Sequence, residues 1–101
     1  MTLRHIVSWK MNGSDAAERA EQARTLRTRL LALEPVIDVI RSMQVGVNDA
    51  GPSDNFDVVL VADFDDEDAL ARYQVHPEHQ KVGTFVRSVT AGRSCVDFTL
   101  A

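Results

Sequence analysis

Cysteine is nearly absent from this sequence, and its scarcity removes two kinds of site. Cys95 is the only cysteine among 101 residues. A disulfide needs two cysteines, and zinc sites of the cysteine type use several thiolates. The sequence therefore excludes an internal disulfide and a cysteine-based zinc site. We expect neither a bound metal nor an organic cofactor.

Long apolar runs and clusters of basic residues are also missing. No apolar run approaches the roughly 18 residues of a membrane span, and the N-terminus alternates polar and apolar residues, unlike a signal peptide. We therefore expect a cytoplasmic protein without a membrane segment. The net charge is −4, and the 11 basic residues are scattered along the chain. Nucleic acid is accordingly not an expected partner.

Proline and glycine are sparse, at 3 and 5 residues, and several of them mark the ends of predicted elements. Apolar spacing distinguishes the strands, with a period near two, from the helices, with steps of three and four. Ser14 or Asp15 can cap the first helix. The predicted elements are a strand over 2–11, a helix from 15 to 34, a strand within 36–47, a loop at 48–54, a strand over 56–64, a helix that breaks at His76-Pro77, a second helical piece ended by Gly92, and a strand over 94–100.

This order, βαββαβ, predicts an α+β fold of the ferredoxin-like type, with helices on one face of a four-stranded antiparallel sheet. Residues 1–101 would form one domain. The run 58–62 is apolar on both faces of its strand, and further apolar residues would add to the bare face, namely Ile6, Ile37 or Ile40, and Val96 or Phe98. Such a surface is costly to expose, so we expect a homodimer that joins the two open faces.

Four segments of the chain resemble the stress-responsive dimeric α/β barrel (Dabb) family. They are His5-Ile-Val-Ser-Trp-Lys, Phe56-Asp-Val-Val-Leu-Val-Ala-Asp-Phe, Tyr73-Gln-Val-His-Pro-Glu-His79 and Val96-Asp-Phe98. The Tyr-x-x-His-Pro-x-His pattern is the most specific of them. The resemblance implies a ferredoxin-like protomer and a dimer closed into a β-barrel. Members of the family include plant stress-associated proteins, a plant polyketide cyclase that closes a ring by aldol condensation, and many bacterial proteins without an assigned activity.

Three polar residues are candidates for one site: His5, Tyr73 and His79. His5 shares the more apolar face of its strand, and the other two lie on inward stripes of their helices. Each alone is compatible with a core residue whose polar end is satisfied. Three polar tips that converge in an apolar pocket are typical of a small-molecule site. The resemblance implies catalytic roles, because the cyclase's tyrosine and last motif histidine fall on Tyr73 and His79, and its first-strand histidine falls on His5.

These residue types suit proton transfer at a carbon next to a carbonyl. A histidine can accept the proton, and a tyrosine hydroxyl can donate to the oxygen that gathers charge. The leading interpretation is a stress-responsive-type homodimer whose pocket binds a small apolar or carbonyl ligand. One alternative is a cofactor-independent cyclase-like or lyase-like enzyme with a Tyr/His pair acting on a polyketide-like carbonyl substrate. A second alternative is a monooxygenase of the related dimeric ferredoxin-like type.

The remaining candidate residues point to structural roles. His76 precedes a proline, so we expect it to be extended and to shape the helix break. Paired with His79 it is a weak metal signal. Trp9 is expected in the core, Cys95 as a small buried hydrophobe, and the acidic run 63–68 as a solvated helix cap instead of a cation site.

Overall fold

The computed structural model describes residues 1–52 and 54–101, and the predicted loop at 48–54 contains Ser53, which lies outside them. Four strands and three helices follow one another as expected. They are β1 (Thr2–Met11), α1 (Ala16–Leu31), β2 (Ser42–Val47), β3 (Val58–Phe64), α2 (Glu67–Val75), α3 (Pro77–Val89) and β4 (Thr90–Leu100).

The four strands form one sheet in the order β2-β3-β1-β4, and each neighbouring pair is antiparallel. This arrangement confirms the predicted ferredoxin-like fold. Alternate residues of the central strand β1 are buried under the helices, and those between them are half-buried on the other face. β3 follows the same alternation. The inward residues of both strands pack against the apolar stripe of α1, formed by Ala23, Leu26 and Leu30.

Aspartates cap the N-termini of the first two helices. Asp15 accepts a hydrogen bond from the backbone N–H of Glu18 at 2.7 Å, so Asp15, and not Ser14, caps α1. Asp66 caps α2 by accepting from the N–H of Ala69 at 2.8 Å. Both caps satisfy backbone donors that the first helical turn leaves unpaired. The acidic run 63–68 thus contains the expected cap, and its Asp65 pairs with Arg41.

The predicted end of the first helix is wrong. α1 ends at Leu31, three residues early, because tight i to i+3 bonds such as Leu33 N–H to Leu30 O replace the α-helical ones before Pro35. β2 lies within the predicted range 36–47 and occupies its second half, from Ser42 to Val47. Ile37 and Ile40 lie in the turns between these elements and are buried in the core. They therefore do not contribute to the open face of the sheet.

The predicted end of the last helix at Gly92 is also wrong. α3 ends at Val89, and Gly92 lies inside β4 opposite Lys10. The backbone N–H of Asn12 donates to the Val89 carbonyl at 2.8 Å, so this last carbonyl of the helix is already tied to the chain that follows β1. Pairing with β1 therefore starts β4 at Thr90, ahead of the expected residue 94.

The open face of the sheet carries an apolar row that crosses three strands. Val61, Ile6 and Val96 are directly opposite one another in β3, β1 and β4. Val96 is 59% exposed, and Phe98 on the same face is 41% exposed. In the single chain, Val58, Leu60 and Ala62 are buried while Val59 and Val61 are half-buried. The run 58–62, which is apolar on both faces, is therefore fully buried on only one of them within one chain.

Candidate functional site

The three predicted site residues come together between the sheet and the helices α2 and α3. His5 lies on β1, Tyr73 on α2 and His79 on α3. The ring centres of Tyr73 and His79 are 4.3 Å apart, and those of His5 and Tyr73 are 6.3 Å apart. All three line a cavity of about 310 Å³. The convergence expected from the sequence patterns is thus present in the fold, and the catalytic role of these residues stays a prediction.

The cavity has an apolar floor and a polar mouth. Val7, Trp9 and Leu60 form the floor from the inward faces of β1 and β3. Val82 and Val86 add apolar surface from α3. Exposed residues that also line it are Gln74, Arg87 and Arg93. A mostly apolar cavity with a few converging polar groups is the usual form of a small-molecule site.

The break between α2 and α3 sets the position of His79. His76 has extended backbone angles (φ −61°, ψ 135°), as expected for a residue before proline. Its Nδ1 accepts a hydrogen bond from the N–H of Glu78 at 3.1 Å and so caps α3. Pro77 begins the new helix, where a missing N–H costs nothing. The structural role predicted for His76 is confirmed, and this turn brings His79 against Tyr73.

Tyr73 is the most deeply buried polar group of the site. The residue is 1% exposed, and its hydroxyl has no hydrogen-bond partner among the described residues. Burial raises the pKa of Tyr73 far above its usual value, so the hydroxyl stays protonated. A buried hydroxyl without a partner is unfavourable and uncommon. It is therefore a hydrogen-bond donor available to a molecule that enters the cavity.

His79 is half-buried and has a defined proton position. Its Nδ1 lies 3.1 Å from the carbonyl oxygen of Gln74. A carbonyl only accepts, so Nδ1 carries the hydrogen and the neutral ring keeps its lone pair on Nε2. Burial lowers the pKa of His79, nearby His5 and His76 lower it further, and the bond to Gln74 opposes them. The neutral ring, a proton acceptor, is therefore favoured at neutral pH.

Asp97 is a site residue that the sequence analysis did not identify. It lies on β4 directly opposite His5, and its Oδ1 is 2.5 Å from His5 Nδ1. His5 is only 4% exposed. A carboxylate accepts, so Nδ1 donates and the Nε2 of a neutral His5 is left as the free ring nitrogen. The pairing of β1 with β4 in this fold was the available signal, since it places Asp97 beside His5 once the register is known.

Cys95 is not the buried hydrophobe that was predicted. It is exposed on β4, and its Sγ lies 3.7 Å from His5 Nδ1. Potential ligand atoms of His5, Cys95 and Asp97 lie within 4.8 Å of one another, so these residues could hold a metal ion. Partial burial and then the Asp97 carboxylate raise the pKa of the Cys95 thiol. That shift disfavours the thiolate that a metal would need.

Trp9 lies in the core as predicted, but it also belongs to the cavity. Its indole Nε1 is buried without a partner among residues 1–52 and 54–101, like the Tyr73 hydroxyl. An indole N–H is a donor only. The cavity therefore contains two unsatisfied donors, and the alternation of β1 that placed Trp9 inward gave no sign of the space beside it.

Comparison with known proteins confirms the family resemblance. A family model described as Stress responsive A/B Barrel Domain matches residues 3–100. No curated protein matches the chain. Among solved structures, a dimeric protein of unknown function and ferredoxin-like fold from Bacteroides fragilis shares 29% identity with a TM-score of 0.87, covering 98% of this chain and 96% of its own.

Two similar structures are named as enzymes. Hydroxynitrile lyase from Passiflora edulis has a TM-score of 0.82 at 13% identity, with 99% of this chain and 94% of the lyase covered. The cofactor-independent oxygenase SnoaB from Streptomyces nogalater has a TM-score of 0.74 at 15% identity, with 99% and 93% covered. At such identities the likeness shows the fold alone.

In this chain, no described helix has the length and apolar character needed to cross a bilayer.

Proposed function

We propose that this chain, which belongs to the stress responsive A/B barrel domain family, is a homodimeric enzyme that moves a proton on a small carbonyl compound without a cofactor. The observation that carries the proposal is the buried Tyr73 hydroxyl, unpartnered among the described residues and adjacent to a histidine whose pKa is lowered. A donor and a base side by side in an apolar cavity are the two groups that enolate formation requires.

The proposed step breaks a carbon–hydrogen bond next to the carbonyl. His79 Nε2 takes the proton, and the bonding electrons move to the carbonyl oxygen as an enolate forms. The Tyr73 hydroxyl donates to that oxygen, and the apolar walls keep water from weakening this interaction. The enolate carbon then bonds either to a proton or to the carbon of a second carbonyl group. In the first case His79 returns its proton to the enolate carbon. In the second case His79 returns its proton to the oxygen of the second carbonyl group.

His5 has a supporting role in this proposal. Its Nδ1 is engaged by Asp97, and its ring centre is 6.3 Å from that of Tyr73. The Nε2 of the neutral ring can accept a hydrogen bond from a ligand hydroxyl or a water molecule in the cavity. The Asp97 carboxylate holds the ring in this tautomer, as a carboxylate commonly does for a working histidine.

A dimer is supported by the sheet and by a related structure. The row of Val61, Ile6 and Val96 leaves apolar surface uncovered in one chain. The similar protein from Bacteroides fragilis is described as dimeric. Contact between two such faces would remove both apolar rows from water at once.

The test is exchange of the α-proton for deuterium, followed by NMR in D₂O with 1-phenylbutane-1,3-dione as the probe. The wild-type protein should accelerate exchange over buffer. Tyr73→Phe removes only the hydroxyl and should lower the rate by about 10² to 10³-fold, and His79→Ala should act in the same direction. If the two groups act as a unit, the double variant should lose little more than either single one.

Lys81→Ala is the matched control on the exposed side of α3 and should keep the wild-type rate. Thermal unfolding of each variant separates loss of chemistry from loss of fold. If the wild-type protein binds the dione without accelerating exchange, this result would contradict the proposed enzyme activity and indicate a binding protein. Exchange that is unchanged in Tyr73→Phe and His79→Ala would remove both residues from the mechanism.

A further inference from the structure

We infer that the ligand is a small keto acid, whose carboxylate is bound by Arg87 and Arg93 at the mouth of the cavity while its keto oxygen meets the donors inside. This inference rests on the proposed small-molecule site and names the substrate class. It comes from the arginines at the mouth of the cavity and from the Trp9 donor inside it, which the proposed Tyr73–His79 step does not use.

The charged side chains that line the cavity are positive, whereas the whole chain is negative. The protein carries a net charge of −4. Arg87 and Arg93 nevertheless line this cavity, and no Asp or Glu of the described residues does. An acidic protein repels anions in general, so an excess of positive charge at one opening favours an anionic ligand there specifically.

Arg87 and Arg93 have no carboxylate partner within the described part of the chain. Three further arginines also lack one, but they do not line this cavity, namely Arg19, Arg27 and Arg29. Arg87 donates only to the Thr84 hydroxyl, at 3.3 Å. Arg93 neighbours the Cys95 thiol. Other arginines are in ion pairs with Asp or Glu, namely Arg4, Arg24, Arg41 and Arg72. The guanidinium fork matches a carboxylate with two parallel hydrogen bonds, so two unpaired forks flanking the α3–β4 junction suit one ligand carboxylate.

The interior of the cavity presents hydrogen-bond donors, so it favours a ligand atom that accepts hydrogen bonds. Trp9 is 5% exposed and Tyr73 is 1% exposed, and neither Trp9 Nε1 nor the Tyr73 hydroxyl has a partner among the described residues. Both are donors, and a keto oxygen offers two lone pairs. The surrounding surface is apolar, formed by residues such as Val7, Leu60 and Val82. A compact keto acid with an apolar body satisfies the donors inside and the cations at the mouth together.

The experiment compares two probes of the same shape, 4-oxo-4-phenylbutanoate and its neutral amide 4-oxo-4-phenylbutanamide. Trp9 is the only tryptophan, so its fluorescence reports binding directly. The acid should bind about tenfold more tightly than the amide, and added salt should reduce the difference. The Arg87→Gln/Arg93→Gln double variant should remove the preference and leave amide binding intact. The control Arg24→Gln/Arg72→Gln changes the net charge equally and should keep most of the preference.

The outcomes separate this inference from the proposed function. Equal affinity for acid and amide in the wild type would overturn the anionic ligand, whatever the deuterium exchange shows. If the protein prefers the acid over the amide through these arginines but does not accelerate deuterium exchange, the inference is supported and the proposed enzyme activity is contradicted. Loss of dimer mass in the Arg87/Arg93 variant would assign these arginines to the subunit interface and overturn their role at the cavity. Binding of neither probe at millimolar concentration would overturn the inference as well.

Discussion

At the scale of single residues, the polar groups of the cavity fall into two kinds. The Nδ1 atoms of His5 and His79 have partners, Asp97 and Gln74, which fix the ring tautomers. The Tyr73 hydroxyl is without a partner among the described residues. Fixed tautomers prepare a ring for proton transfer, and an unsatisfied donor prepares a site for a ligand oxygen. The two rings therefore offer proton acceptors in fixed positions, and Tyr73 offers a free donor beside them.

The first residue-scale prediction concerns pH. Burial lowers the pKa of His79 below its ordinary 6.5, so the base form predominates at neutral pH. The exchange rate should rise as pH increases through this lowered pKa and then level off. Because the folded pKa is depressed, the associated stability is present above about pH 6.5 and is lost as pH falls through the folded value.

NMR titration of the His79 ring measures its pKa, and thermal unfolding measures the pH dependence of stability. Both experiments span about pH 4 to 8, the range in which a histidine titrates. His79→Gln should remove this part of the pH dependence of stability. A pKa of His79 above neutrality in the wild type would contradict the assignment of His79 as the base, because most of the rings would then be protonated at neutral pH.

The second residue-scale prediction concerns Asp97 as a positioning residue. Asp97→Asn keeps the shape but replaces a pure acceptor with an amide that also donates. We expect His5 to populate the other tautomer and the exchange rate to fall by about tenfold with the fold retained. Nitrogen chemical shifts of His5 report the tautomer directly. Thr99→Ala on the same strand is the control, and an unchanged His5 tautomer in Asp97→Asn would contradict the role.

At the scale of elements, the division of the second helical region into α2 and α3 positions the site. The extended backbone of His76 ends α2, and its side chain begins α3. A continuous helix would carry His79 away from Tyr73, since successive residues turn by about 100° around a helix axis. The break allows contact between two residues that are six positions apart, with ring centres 4.3 Å from each other.

The element-scale prediction is that the His76 cap contributes measurable stability. His76→Ala removes the acceptor for the Glu78 N–H and should lower the free energy of unfolding by about 1 kcal/mol. His76→Asn supplies a new capping oxygen and should restore most of the loss. Urea unfolding measures both. Equal stability of His76→Ala and the wild type would show that water replaces the cap fully.

At the scale of the whole molecule, the open sheet face leaves apolar side chains uncovered in a single chain. The row of Val61, Ile6 and Val96 and the exposed ring of Phe98 lie on a face that none of the described helices covers. Exposed apolar residues are common on proteins when they are scattered, but a contiguous row across a sheet is typical of an interface.

The prediction at this scale is a dimer through that face. Light scattering at low micromolar concentration should return twice the chain mass. Val61→Asp would place a charge in the buried layer and should cost several kcal/mol through association or folding. Val36→Asp is the matched control, because Val36 is 54% exposed away from the sheet and its replacement should change neither property. A folded wild-type monomer under these conditions would contradict the dimer.

Local patterns in the sequence were sufficient for the element order and for the direction of the main site residues. Alternation along 2–11 turned His5 inward, and helical spacing did the same for Tyr73 and His79. The proline after His76 was enough to predict the break. These properties depend on neighbours a few positions away, so a single sequence carries them.

Contacts between distant parts of the chain were decided only by the tertiary structure. Asp97 meets His5 across 92 positions, and the register of β1 with β4 sets that meeting. The same pairing ended α3 at Val89 and left Cys95 exposed instead of buried. It also brought Arg93 to the cavity that Arg87 lines from α3. Strand register depends on the summed packing of a whole face, which no local spacing records, because shifting a strand by one residue reverses every side chain.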